Sequence, residues 1–398
     1  MRERFSRLLS EALNVGAVAR EMIAERLPAA PRTVILYDGF GNAERVFVSG
    51  RAHRNEPIAP STAEDSRLRN LWAMLRRADA DPLPHAKVRL RVGAAQRDVT
   101  TDDEGFFHEW VDAPAPERID SEWVRVRAEL LPSDTSSDAA STAGRLLVPE
   151  VAPQMLVISD VDDTVLQSKV TNLLRAAQTI AFGNARTRLP FPGVAAFYHA
   201  LRRGSSGKAK NALFYVSSSP WNLYDVITQF LDFQGIPAGP VMLRDLDIDL
   251  GLGSPRRHHE HKRDNIRRVM KTFGDVPAIL IGDTSQQDPE IYRDVVHEFS
   301  GRVRAVYIRN VNQDAERSQA IRALGDEILK AGSSLVLADD TLAAARHAAE
   351  HGFISPDSLD DVAADKRADE GATTEKVDAP GARDVTDAPT PTIVVEGK

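Results

Sequence analysis

From residue 155 onward this 398-residue chain is punctuated by six short apolar runs: MLVIS, ALFYVS, PVML, AILIG, VRAVYI and SLVLA. Stretches of helical character separate them. A strand that is apolar throughout must be covered on both faces, so the alternation demands a mainly parallel sheet with helices on either side. This α/β domain is expected over residues 151–354, after the short linker Val151-Ala152-Pro153-Gln154.

From Thr33 to about Pro149 the rhythm is different. TVILY, RVFVSGR, KVRLRVG, GFFHEWV, WVRVRAELL and GRLLV are short β-type runs, several of them parted by turn-forming clusters such as Asp38-Gly39 and Asp103-Glu104-Gly105. They predict an all-β, sandwich-like domain over residues 31–150, interrupted by a helical insertion between Asn55 and Asp81. Ahead of it, Phe5, Leu8, Leu9, Ala12, Val15, Val18, Met22 and Ile23 make one stripe of an amphipathic helix within residues 1–30. Its mixed charges favour packing on its own domain over lying in a lipid interface. After Phe353 no aromatic residue occurs, and residues 355–398 hold eleven acidic against five basic side chains. A disordered acidic tail is expected there.

That tail carries −6 of the formal net charge of −8, which leaves the body close to neutral. The basic excess of a nucleic-acid binder is absent, so DNA and RNA are excluded as main partners. With no cysteine, disulfide frameworks, thiolate catalysis and cysteine-ligated metals are excluded as well. No apolar run approaches the roughly 18 residues of a membrane-spanning helix. A cytoplasmic protein, peripheral at a membrane at most, is the expectation.

Ligands of open parallel sheets collect at the carboxyl ends of the strands, and polar residues stand there. Asp160-Val161-Asp162-Asp163-Thr164 follows the first run, Ser217-Ser218-Ser219 the second, and Asp283 the fourth, with Asp288 five residues on. Lys262 opens the helix-like stretch before the fourth. Carboxylates crowded into one crevice repel unless a divalent cation neutralises them, and oxygen-only ligation suits Mg²⁺. With that repulsion cancelled by metal and ammonium, an ionised Asp can attack phosphorus, and a second carboxyl can protonate the leaving oxygen and then activate water.

ISDVDDT, the hydroxyl closing ALFYVS, the separate Lys262 and GDTSQQD resemble, in order, the four motifs of the haloacid-dehalogenase (HAD) phosphatase superfamily. FYVSSSPWNLY, the lysine-bearing helix and LIGDTSQQDPEIY resemble more narrowly the actin-patch type of phosphatidate phosphatase, in which a β-rich region with something like ILYDGFGNAERVFVSGR precedes the catalytic domain. The resemblance covers about residues 30–354. It implies a HAD-like Rossmannoid sheet with a small cap, and a phosphomonoesterase whose substrate is a phospholipid, phosphatidate being converted to diacylglycerol. It further implies Asp160 as the nucleophile that becomes an aspartyl-phosphate and Asp162 as general acid/base. Ser217 would bind a phosphoryl oxygen, a task Ser218 or Ser219 could share, and Lys262 would neutralise charge. Asp160, the carbonyl of Asp162 and Asp283 would hold Mg²⁺ with Asp288 in support, and the family varies in which of Asp283 and Asp288 ligates directly.

Other constellations read as ordinary surface or packing. Asp245, Asp247 and Asp249 lack the Gly and Glu of a calcium loop. His258, His259 and His261 beside Glu260 lack the spacing that puts two histidines on one helical face, so a basic approach to Lys262 is preferred to a zinc site. Phe182, Phe191, Trp221 and Tyr224 are candidates for an apolar rim or for core packing. Two rival functions stay open: a phosphatase of soluble esters or phosphoproteins, and a non-catalytic phosphate-sensing scaffold whose β domain binds a protein partner.

Overall fold

A computed structural model of the chain describes residues 31–54, 81–132, 140–161, 192–244, 255–284, 287–311, 315–374 and 393–395. The expected N-terminal helix, nearly all of the expected insertion, the cap segment with Phe182 and Phe191, Asp162, and the Asp245-Asp247-Asp249 connection lie outside the described residues. So do the side chains of His258 and His259.

Period-two alternation builds the first domain. Its strands are β1 (Arg32–Gly41), β2 (Arg45–Arg54), β3 (Asp81–Pro82), β4 (Lys87–Val92), β5 (Ala95–Thr100), β6 (Phe106–Asp112), β7 (Trp123–Leu130) and β8 (Ala140–Leu147). In β7, Val124, Val126, Ala128 and Leu130 are buried while Arg125, Arg127 and Glu129 take the opposite face. The strands run β3-β2-β1-β8-β7-β4-β5 in one eight-stranded sheet, with β6 paired to β2. Every pairing is antiparallel except the short parallel contact of Gly39 and Phe40 with Leu146 and Leu147. The domain is therefore all-β as expected, but hydrogen bonding runs through one continuous sheet whose two halves share a core of residues such as Val34, Val48, Leu90, Val126 and Leu146.

In the second domain each expected apolar run is a strand. These are β9 (Leu156–Asp160), β10 (Ala212–Pro220), β11 (Val241–Arg244), β12 (Ala278–Asp283), β13 (Val303–Arg309) and β14 (Ser334–Ala338). Between and after them come α1 (Val194–Arg203), α2 (Tyr224–Phe233), α3 (Pro255–Thr272), α4 (Asp288–Glu298), α5 (Ala315–Lys330), α6 (Thr341–Glu350) and α7 (Ser358–Thr374). The strand order is β11-β10-β9-β12-β13-β14, all parallel, and a short β15 (Ile393–Val395) adds antiparallel to β14. Successive strand residues feed two separate cores: Val157, Leu213 and Ile279 on one face, Leu156, Ile158, Phe214 and Leu280 on the other. The order reverses between β9 and β12, which defines a topological switch point.

The tail requires a correction. Residues 358–374, expected to be disordered, form α7, and Val362 is fully buried against the same core as α1 and α6. Composition misled because an acidic helix needs little apolar surface when its carboxylates find donors. Asp369 and Asp365 accept from the backbone N–H groups of Gly193 and Ala196, at 2.9 and 3.1 Å, and Lys366 pairs with Asp340 at 2.6 Å. Among the described residues no helix is long and apolar enough to cross a membrane.

Candidate active site

Two carboxylates share one ammonium group at the switch point, and a third stands at the neighbouring strand end. Asp160 ends β9, and its side chain is only 3% exposed. Lys262 comes from α3, where it shares the buried stripe of Ile266, Val269 and Met270, so its aliphatic stem is packed and only its Nζ reaches outward. That nitrogen donates to Asp160 Oδ1 at 2.8 Å and to Asp288 Oδ1 at 2.6 Å.

Asp288 opens α4, followed by Pro289 in the first turn, where a missing N–H costs nothing and the helix dipole favours a carboxylate. Its second oxygen accepts from the backbone N–H of Asp283 at 3.2 Å. Both oxygens of Asp288 thus hold other parts of the site. Asp283 itself ends β12, 5% exposed, one strand away from Asp160. Gly282 makes this approach possible, since a Cβ there would stand 2.4 Å from Asp288 Oδ2 and 2.8 Å from the Tyr292 ring.

Ser217 lies one step beyond Val216, which pairs in register with Asp160. Its hydroxyl is buried and accepts from the N–H of Ser219 at 2.9 Å. Behind Asp160, the Ser159 hydroxyl lies 2.6 Å from the Tyr198 phenol, which burial pushes up to about 12. Burial, and then the carboxylates of Asp288, Asp160 and Asp283, drive the Tyr292 phenol well above its ordinary value. Tyr292 therefore stays protonated and donates to the Ile281 carbonyl at 2.7 Å, pinning α4 to β12. The motifs did not single out Gly282, Tyr198 or Tyr292; only the first could have been read, from the small residue wedged between ILI and Asp283.

Of the residues singled out from sequence, the structure brings Asp160, Lys262, Asp283 and Asp288 together and sets Ser217 on the neighbouring strand end. Asp162 lies outside the described residues. Trp221 is buried in a core cluster with Tyr37 of the β domain and the half-buried Tyr224 packs against it, which makes both packing residues. His261 sits with its Nε2 3.0 Å from the Leu243 carbonyl and 2.9 Å from Asn265 Nδ2, tied to β11. Among the described residues no three metal-ligating side chains converge. The donor set fits Mg²⁺ in its chemistry: the carboxylates offer oxygen only, and one lysine is shared by two of them, which leaves negative charge for a divalent cation.

Fold and site together define an open parallel α/β domain with a buried carboxylate–lysine centre at its switch point. Residues 155–310 match the family model described as phosphatidate phosphatase APP1, catalytic domain, so the resemblance to the actin-patch type of phosphatidate phosphatase is borne out over these residues. An uncharacterized protein of Schizosaccharomyces pombe is 28% identical over 225 residues, 55% of this chain and 35% of that protein. Phosphatidate phosphatase APP1 of Saccharomyces cerevisiae is 28% identical over 153 residues, 38% of this chain and 25% of that protein. The chain thus spans about a third or less of the length of these relatives. Among solved structures, a carbohydrate acetylesterase from Xanthomonas citri aligns over 82% of this chain and 76% of that one at 12% identity, with a TM-score of 0.25 that is too low to bear on the fold.

Proposed function

We propose that the chain is a Mg²⁺-dependent phosphoric monoester hydrolase that converts phosphatidate to diacylglycerol through an aspartyl-phosphate, working as a peripheral protein at a lipid surface. The observation that carries the reaction class is the buried ammonium of Lys262 held between Asp160 and Asp288 at a switch point. The parallel strand order, with Asp160 at the end of the first strand, supports a HAD-like arrangement. The lipid substrate is supported by the family match alone.

Asp160 attacks phosphorus through a carboxylate oxygen, and the ester oxygen departs on the diacylglycerol, taking a proton from Asp162. Water then attacks the aspartyl-phosphate while Asp162 accepts its proton, and orthophosphate leaves. Lys262 lowers the repulsion between the Asp160 carboxylate and the incoming phosphate, and the Ser217 hydroxyl fixes a phosphoryl oxygen. Mg²⁺, which Asp160, Asp283 and the Asp162 carbonyl would hold, would neutralise charge and polarise a phosphoryl oxygen. Asp288, with both oxygens engaged, serves by orienting Lys262 and Asp283.

Phosphate release from mixed micelles of phosphatidate, and from soluble phosphomonoesters, tests this with Mg²⁺ and then with chelator. The expected result is release that depends on the metal and rises with the surface concentration of lipid. Release only from soluble esters, indifferent to lipid surface, would replace the lipid substrate; equal release in chelator would remove the metal.

A further inference from the structure

We infer that the end of β1 with the residue after it, Tyr37 to Asn42, is a positioning latch for the active site: it braces β10 and α3, the two elements that deliver Ser217 and Lys262. Its consequence for turnover rests on the catalytic reading above. The pairing of β1 with β2 shifts register between Tyr37 and Phe40, an irregularity of the kind that re-aims side chains near functional sites. Beyond it the strand leaves its own core. Tyr37 joins the apolar cluster on one face of the catalytic sheet, and Phe40 the cluster on the other, so the strip straddles β10.

The contacts fall close to Ser217. Tyr37 stacks on Trp221, four residues beyond Ser217, with ring centroids 4.4 Å apart and planes at 21°. It also lies 4.6 Å from the Tyr224 ring. The Tyr224 hydroxyl accepts from the backbone N–H of Asp38 at 2.9 Å, and burial holds that phenol protonated far above its ordinary range. Arg145 in turn grips the Asp38 carboxylate at 2.9 and 3.1 Å. Phe40 meets Phe214, three residues before Ser217, edge to face at 5.4 Å.

The rest of the strip reaches α3. Asn42 Nδ2 donates to the carbonyl of Thr272, the last residue of that helix, at 3.1 Å. Phe47, the cross-strand partner of Phe40, carries the guanidinium of Arg268 4.5 Å above its ring. Gly39 lets the chain close up, because a Cβ there would stand 2.2 Å from the Phe47 carbonyl oxygen. One strip of a different domain therefore fixes the spacing between the hydroxyl and the ammonium that a phosphoryl group would have to meet.

The test uses the full chain with Mg²⁺ and phosphatidate in mixed micelles, and reads kcat and KM beside amide hydrogen exchange. Tyr37→Leu should lower kcat/KM by about 10-fold to 100-fold, the range expected of a displaced catalytic group, and speed exchange in 213–224 while 291–308 stays protected. Tyr37→Phe, which keeps the ring, should restore both. Tyr224→Phe, which removes the acceptor of the Asp38 N–H and little else, should move both readouts in the same direction by less. Wild-type turnover and exchange in Tyr37→Leu would overturn the inference, as would exchange that rises equally through both domains. If the wild type releases no phosphate, the catalytic reading fails, whereas faster exchange confined to 213–224 still supports the latch.

Discussion

Lys262 is the residue on which the site balances. It is 1% exposed and bonded to two carboxylates that are 3% and 0% exposed, so removing its charge strands both. Lys262→Met should cost about 3–5 kcal/mol of stability, as breaking a buried pair does, and lower kcat by about 10²–10³-fold. Denaturant titration and steady-state rates check the two effects. Asp288→Asn keeps the shape but weakens one of the two bonds, so it should hurt turnover more than stability. Gly282→Ala should be more damaging than a methyl group suggests, because Asp288 and the Tyr292 ring would both have to move; a variant with unchanged melting and rate contradicts that geometry. Asp160, Lys262, Asp283 and Asp288 were legible because each stands at a strand end or in a helix beside a short motif. The pairing of Tyr37 with Trp221 was not, since 186 positions separate the neighbouring Asp38 and Tyr224 and no local pattern links them.

At the scale of elements, the apolar runs showed the parallel strands because every one of them is buried on both faces. Strand β5 escaped notice: AQRDVT buries only Val99, and its place at the edge of the sheet is dictated by the two-residue loop Gly93-Ala94 that follows β4. Helix α7 was missed for a related reason, its role being electrostatic. The N-cap of α1 is Gly193, which has no side chain to cap with, so Asp365 and Asp369 of α7 supply the acceptors. Replacing either by Ala should cost about 0.5–2 kcal/mol, the usual worth of a cap. Burial works against ionisation of Asp340, but the ammonium of Lys366 and the N–H of Ala343 outweigh it and lower its pKa. A carboxyl whose folded pKa is depressed contributes stability that is full above its unfolded value of about 3.9 and is lost as pH falls through the folded value. Thermal melts should therefore show an acid-side loss below about pH 4 that Lys366→Ala reduces. With both partners partly exposed the effect should stay under about 1 kcal/mol.

For the whole molecule, the end of β1 belongs to the cores of the catalytic sheet, so the two domains share apolar packing. The change from one sheet to the other near residue 150 was legible from the change of hydrophobic period. The packing across it was not, because it is set by aromatic side chains that look like ordinary core residues in sequence. The central claim is that Asp160 carries the phosphoryl group. Acid-quenched protein taken during turnover of phosphatidate in mixed micelles with Mg²⁺, digested and weighed by mass spectrometry, should show one phosphoryl group on the peptide containing residue 160. The Asp160→Asn protein should show none and should lose at least about 10³-fold in rate while remaining folded. Steady turnover by Asp160→Asn, or a phosphoryl group found on another residue, would contradict the account.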